Sequence, residues 1–351
     1  MSSREPAPSE RPYIGGQAVM EGVMMRSPRG IAIAVRRPDK SIALRESDWK
    51  PMLASPAWKL PLLRGVATMV DAMHAGYAAL GWSGEQQLTE DEKAQVQESR
   101  LGRLVYVVPA LFALGLFVAA PQGLTYLAGR YLGLGSSDLL DPRFHAATAG
   151  AKLLILLSYL LLISRFRDIQ RFFQYHGAEH KVISTHEAGL ELTVENARAQ
   201  TTLHPRCGTT FLVVVVLISA IVFAVVLPFV MPFMPRFEGL LGHVFAFLIK
   251  LPLLPVIAAV AYELQRISAR YCTTGPLRAL LWPGFLVQKI TTREPTDDQL
   301  EIALVALRAA IWRQHAVGEL PRGDESPIVY ASFDEFAQNA HAVRPPPALA
   351  A

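Results

Sequence analysis

A chain of 351 residues with 51% hydrophobic residues, 18% charged residues and a mean hydropathy of +0.26 does not divide like a pair of soluble domains, because its apolar residues are bunched. A net charge of +4 is modest, and basic residues beside membrane helices account for it, so no nucleic-acid partner is expected. The two cysteines exclude a disulfide-rich scaffold.

Residues 1–12, MSSREPAPSERP, are polar and proline-bearing. They read as a disordered lead without the apolar stretch of a cleavable signal. The texture then changes. Residues 13–50 hold a β-compatible run from Tyr13 to Arg26 with three glycines, and two further runs separated by Arg36-Arg37-Pro38-Asp39-Lys40, so a small antiparallel sheet of about three strands is expected. Glu21, among hydrophobic neighbours, is either a half-buried carboxylate awaiting a cation or an edge-strand charge facing water. Residues 58–100 hold an amphipathic helix and a linker. Leu62, Val66, Met69, Val70, Met73, Tyr77 and Leu80 recur at three- and four-residue steps, the stripe of a helix that lies at a membrane surface or packs on the sheet.

Four runs have membrane-span length. Residues 104–120 and 211–233 carry no charge, 146–163 is interrupted only by Lys152, and 240–262 contains His243 and Lys250. Lys250 is expected to snorkel at an interface. The pattern predicts a polytopic α-helical membrane protein of about four transmembrane helices, two in 101–164 and two in 209–265, with a small N-terminal cytoplasmic β-sheet and a cytoplasmic helical insert at 165–208. Arg165, Arg167, Arg171, Lys181, Arg198 and Arg206 in that insert outnumber Arg130, Arg143 and Arg236 in the opposite loops, which puts the insert and both termini in the cytoplasm. Cys207 and Cys272 then face a reducing compartment. The lipid bilayer is the expected partner.

The insert gathers the chemistry: four of the nine histidines and one of the two cysteines. His176 and His180 stand four apart on one helical face with Glu179 beside them, and H-x-x-E-H is the order in which two imidazoles hold zinc while the carboxylate takes a proton from the attacking water. Glu187, His204 and Cys207 are the nearest further ligands, and His204-x-x-Cys207 suits nitrogen and thiolate donors on one ion. A charged helix whose histidines hydrogen-bond to neighbours would need no ion. Gly189 is a plausible helix stop, and Thr193 caps a second short helix. The helix of span two is expected to continue through Arg165–Phe173 and deliver His176 and His180 to the bilayer face.

Beyond span four, Glu263 sits one turn from Arg266, an ion pair or a support for the site. Residues 266–315 read as an interfacial segment followed by a final soluble helix over 292–313, with Leu300, Leu304, Leu307 and Ile311 as its stripe. Periodicity fades in 316–351, which is expected to be disordered.

GGQAVMEGVMMR, YHGAEHKVI, LTVENARAQTTLHPRCGTTFL and ITTREPTDDQLEIALVAL, in this order, resemble the YqhQ-like family of bacterial membrane proteins, over about residues 13–307. The resemblance implies an inner-membrane, multi-pass protein with a metal-dependent enzyme role. It also implies that Gly15, Gly16, Gln17, Glu21, His176, Glu179, His180, His204, Arg206 and Cys207 occupy motif positions. It supplies no substrate.

The site expected is a divalent ion, zinc by donor type, on His176, His180, His204 and Cys207, with Glu179 as catalytic base. Glu21, Gln17, Glu187, Arg206 and Glu263 are the candidate supports. Two functions compete: a metal-dependent hydrolase and a non-enzymatic membrane scaffold or assembly factor with a structural zinc. A transporter finds little help, because ionisable residues in the spans amount to Lys152, His243 and Lys250.

Overall fold

Alternating apolar residues build a sheet from β1 (Gly15–Val19), β2 (Gly22–Arg26), β3 (Gly30–Arg36) and β4 (Ile42–Asp48), all antiparallel. A fifth strand, β5 (Ile328–Tyr330), adds to β4, for an order β1-β2-β3-β4-β5. The computed structural model describes residues 13–51, 55–89, 92, 104–135, 138–233, 239–272, 276–315 and 327–343. The lead at 1–12 and most of the linker at 83–99 lie outside these. Two expectations are corrected here. The run from Tyr13 to Arg26 is two strands, because Met20 and Glu21 turn it, Glu21 at φ 51. The tail is ordered over 327–343: β5 is followed by a helix, Phe333–Val343, whose Phe336 meets Tyr330 edge-on at 5.3 Å. These few aromatics lie among polar residues and create no period that a sequence reading would register.

In chain order the helices are α1 (Leu63–Glu85), α2 (Leu104–Leu114), α3 (Ala120–Leu132), α4 (Pro142–Ile163), α5 (Arg167–Ala188), α6 (Val194–Arg198), α7 (Gly208–Val230), α8 (Gly239–Lys250), α9 (Leu254–Tyr271), α10 (Trp282–Thr291) and α11 (Asp297–His315). A π-helical turn, Gly115–Ala119, joins α2 to α3, and a 3-10 turn, Leu251–Leu253, joins α8 to α9.

Both faces of the sheet are covered, unlike the common antiparallel sheet with one wet face. On one side Val23, Met25, Ala32, Ala34, Ile42 and Leu44 pack with Tyr175, Ala178 and Val182 of α5 and with α11. In α11 every residue from Ile302 to Leu307 is fully buried, so this helix is a core element rather than the one-striped soluble helix expected. It begins at Asp297, later than expected, because Thr292 ends α10 by donating its hydroxyl to the Gln288 carbonyl.

The other face meets α1 through Ala75, Ala79 and Trp82, which pack with Val19, Met24, Ile33 and Val35. Of the two placements expected for the apolar stripe, packing on the sheet is not the one observed. The small side of α1 faces the protein, while Leu62, Met73, Tyr77 and Leu80 are exposed. Close packing selects small residues, as at Gly65 against Ala259 of α9, and the large apolar residues remain for a non-aqueous surface.

Among the described residues four helices are long and apolar enough to cross a membrane: Leu111–Leu132, Pro142–Ile163, Gly208–Phe233 and Val244–Tyr271. The first and fourth end later than the apolar runs suggest, since helical structure carries on through Tyr131 and through Arg266 and Arg270. Span two does not continue into the insert. Gln170 and Arg293 both donate to the Ser164 carbonyl where the chain bends, and α5 restarts at Arg167 and lies against the sheet.

Candidate metal centre

Helix α5 presents His176 and His180 on one face, as their spacing requires, with ring centroids 4.5 Å apart. Gly177, on the same helix, lets the chain after α10 cross closely: a Cβ there would stand 2.1 Å from the Arg293 carbonyl oxygen. The α5 helix stops at Gly189, which adopts the left-handed conformation at φ 74, and the Thr193 hydroxyl caps α6 by accepting from Asn196, both as the sequence indicates. The chain then turns through Thr202 and His204 and enters α7 at Cys207.

Three donors converge. One atom from each of His176, His180 and Cys207 lies within 4.8 Å of the others, with His176 Nε2 at 3.2 Å from Cys207 Sγ. Both imidazoles are oriented from behind. His176 Nδ1 meets the Thr291 carbonyl at 2.8 Å and His180 Nδ1 meets the Thr202 carbonyl at 2.5 Å. A backbone carbonyl accepts, so each Nδ1 carries the proton and each Nε2 presents a lone pair toward the sulfur. Burial holds the His180 imidazole below its ordinary pKa and therefore neutral, the form that ligates. Cys207 caps α7, its Sγ accepting from the Thr209 amide, so the sulfur sits where a helix N-terminus favours negative charge.

His204 is near this group without joining it. Its ring lies 5.6 Å from that of His180, its Nε2 is 3.3 Å from Glu187, and burial lowers its pKa. Its peptide group is held on both sides by Gln288 of α10: the His204 amide donates to Oε1 and Nε2 donates to the His204 carbonyl, each at 2.8 Å. Gln288 is fully buried and also donates to the Thr210 hydroxyl. Neither Gln288 nor the Thr202 and Thr291 carbonyls figured in the sequence reading. A glutamine inside FLVQKI was the available signal for the first. Backbone carbonyls leave none.

Glu179 is buried, and burial raises its pKa while the His176 and His204 imidazoles oppose the rise. β1 closes over it: a Cβ on Gly16 would stand 2.7 Å from Glu179 Cγ, so this position requires glycine. The remaining candidates make contacts outside the three-donor group. Gln17 presses on Gly76 of α1. Glu21 pairs with Arg171 and accepts from Tyr175, which fastens the first hairpin to α5. Glu187 pairs with Arg206, whose guanidinium lies over the Tyr13 ring. Glu263 forms its ion pair with Arg64 of α1 rather than with Arg266, tying α1 to α9.

Two imidazoles and a sulfur, aimed at one point and placed where four apolar helices meet a folded sheet layer, describe a membrane-type helical protein with a candidate metal centre. The chain belongs to the family described as "Protein of unknown function (DUF1385)", whose model matches residues 60–313. It is 32% identical, over 306 residues covering 84% of this chain and 90% of the other, to the uncharacterized protein YqhQ of Bacillus subtilis. No solved structure matches it.

Proposed function

We propose that the protein is a metal-dependent hydrolase of the bacterial inner membrane, with both termini and the His176–His180–Cys207 group on the cytoplasmic side. The observation that carries the metal reading is the pair of Nδ1–carbonyl hydrogen bonds behind His176 and His180, which leave both Nε2 atoms free to ligate, with a donor atom of each imidazole within 4.8 Å of Cys207 Sγ. The donor set fits zinc, which takes imidazole and thiolate ligands at about 2.0–2.3 Å in tetrahedral geometry. A bound zinc ion would supply Lewis acidity and leave one position for water or substrate. Glu179 then serves as the group that accepts and returns a proton. Its carboxyl is buried, and burial raises its pKa above the ordinary carboxylate range, the direction an acid–base group needs. The inward orientation rests on the basic residues of the central insert.

A non-enzymatic scaffold with a structural zinc is the competing reading, and it needs a fourth protein ligand. His204 is the nearest, but its Nε2 is already engaged by Glu187. The three-donor arrangement therefore favours the open, catalytic form.

Purified protein is expected to carry about one equivalent of zinc. His176→Ala and Cys207→Ser are expected to lose it, whereas His204→Ala is expected to keep it. Glu179→Gln is expected to retain metal and fold while function falls by about 10²-fold or more. Metal-free wild-type protein would end the metal reading. Loss of zinc in His204→Ala with full function in Glu179→Gln would establish the structural site instead.

A further inference from the structure

The apolar helices contain a second polar cluster, and it is built from all four of them. Gln122 of α3, Lys152 of α4, Ser219 of α7 and Lys250 at the end of α8 line one small enclosed cavity, together with His145. The first three fall near the middle of their spans, Leu111–Leu132, Pro142–Ile163 and Gly208–Phe233. Lys250 does not snorkel to an interface as its sequence position suggested. It is 2% exposed, its ammonium donates to Gln122 Oε1 at 2.7 Å, and it faces the Phe144 and Phe223 rings. Lys152 donates to the Ser219 hydroxyl at 3.3 Å and lies 5.4 Å from the centroid of the same Phe223 ring.

Among the described residues no acidic one lines this cavity. Two ammonium groups converge on one point at mid-span depth with neutral partners only, and such groups in a bilayer interior require a counter-charge or a functional use. His145 supplies an independent sign of an occupant. The ring is 2% exposed, Nε2 is 3.0 Å from the Leu139 carbonyl, and Nδ1 is buried with no hydrogen-bond partner. With Nε2–H committed to that carbonyl, Nδ1 is a buried polar atom left open beside the cavity. Helical regularity is also interrupted in the two spans that flank the cluster, by the π turn Gly115–Ala119 before Gln122 and by the 3-10 turn Leu251–Leu253 after Lys250. Breaks of this kind recur where membrane helices bind ions.

We propose that this cluster is an intramembrane binding site for a small inorganic monoanion of halide size, held by the Lys152 and Lys250 ammonium groups. The size follows from the cavity, about 10 Å³ of free space, which admits one water-sized body and excludes a phosphate headgroup. The charge follows from the lining. The site is separate from the His176–His180–Cys207 group and requires nothing of it.

The test uses the full chain in detergent, exchanged into sodium gluconate and titrated with sodium chloride at constant ionic strength. A saturable rise in melting temperature of about 5 °C is expected, reproduced by bromide. Phosphate is expected to give no rise. In Lys250→Met the chloride response is expected to vanish. Should that variant fail to fold, Lys152→Met and equilibrium dialysis of wild-type protein against radiolabelled chloride, expected to retain about one equivalent, serve in its place. Equal melting temperatures in chloride and gluconate for the wild type, with no retained chloride, would overturn the proposal and leave two neutral lysines. A response to phosphate but not chloride would overturn it in favour of a lipid headgroup.

Discussion

The sheet layer and the helical bundle use similar apolar residues in opposite ways. In the layer, α11 and the strands bury their side chains on every side, and the charges around them are paired: Arg36 with Glu301, Arg313 with Asp48, Lys181 with Glu294. In the bundle, 17–33% of the residues in each apolar window are buried, and leucines such as Leu154 and Leu162 point outward. Its two inward lysines share a cavity lined by no acidic residue among those described. One region is a core in the sense of a soluble protein, and the other exposes apolar surface of the kind a bilayer covers. The metal candidates sit at the seam, on α5 of the layer and at the first turn of α7 of the bundle.

This contrast can be broken most sharply with two leucines. Leu304→Ala, in the centre of α11 and fully buried, is expected to destabilise by about 3–4 kcal/mol. Leu154→Ala, 66% exposed on α4, is expected to change stability in a lipid bilayer by less than about 1 kcal/mol. Chemical denaturation of nanodisc-embedded protein measures both. Comparable losses at the two positions would mean that Leu154 is packed against protein, another copy of the chain being the simplest case.

Legibility in the sequence divides along the same line. The spans were readable because lipid demands about twenty apolar residues in a row, a signal that needs no knowledge of neighbours. Their limits were less so, since helices run on past their apolar windows, as through Arg266 and Arg270. His176, His180 and Cys207 were readable by residue type and spacing. What orients the imidazoles was not: two backbone carbonyls, while the adjoining His204 peptide is held by Gln288, 84 residues further along the chain. The convergence of Lys152 and Lys250 was equally hidden, because they stand on different spans and each looked like a lone interruption. The exposed stripe of α1 shows why two placements had to stay open. Hydrophobic periodicity identifies the apolar face of a helix but does not say whether protein or lipid will cover it.

A smaller effect tests how tightly the layer is closed over the seam. Gly16→Ala places a methyl group 2.7 Å from Glu179 Cγ, and β1 is held in register by its pairing with β2, so the Glu179 side chain must shift or the strand and α5 must part. The expected loss is about 1–3 kcal/mol of stability. Glu179 should gain exposure, which hydrogen–deuterium exchange of α5 would register. A fully stable Gly16→Ala with unchanged exchange would place Glu179 in an open pocket and detach β1 from the site.

The smallest expected effect lies at the rim, where Arg171 holds Glu21 in the turn between β1 and β2. The arginine side chain is 54% exposed, so water screens the pair, and surface pairs of this kind contribute about 0.5 kcal/mol. Glu21 carries one further restraint, because Tyr175, almost fully buried on α5, donates its hydroxyl to the same carboxylate at 3.3 Å. Arg171→Ala should therefore lower stability only slightly, and the loss should shrink further in high salt. Tyr175→Phe, which removes a bond made inside the layer, should have the larger effect of the two and keep it in high salt. If thermal melts ranked them the other way, the hairpin would be fastened by long-range charge rather than by packing, and the layer would resemble the bundle in leaving its charges to act at a distance.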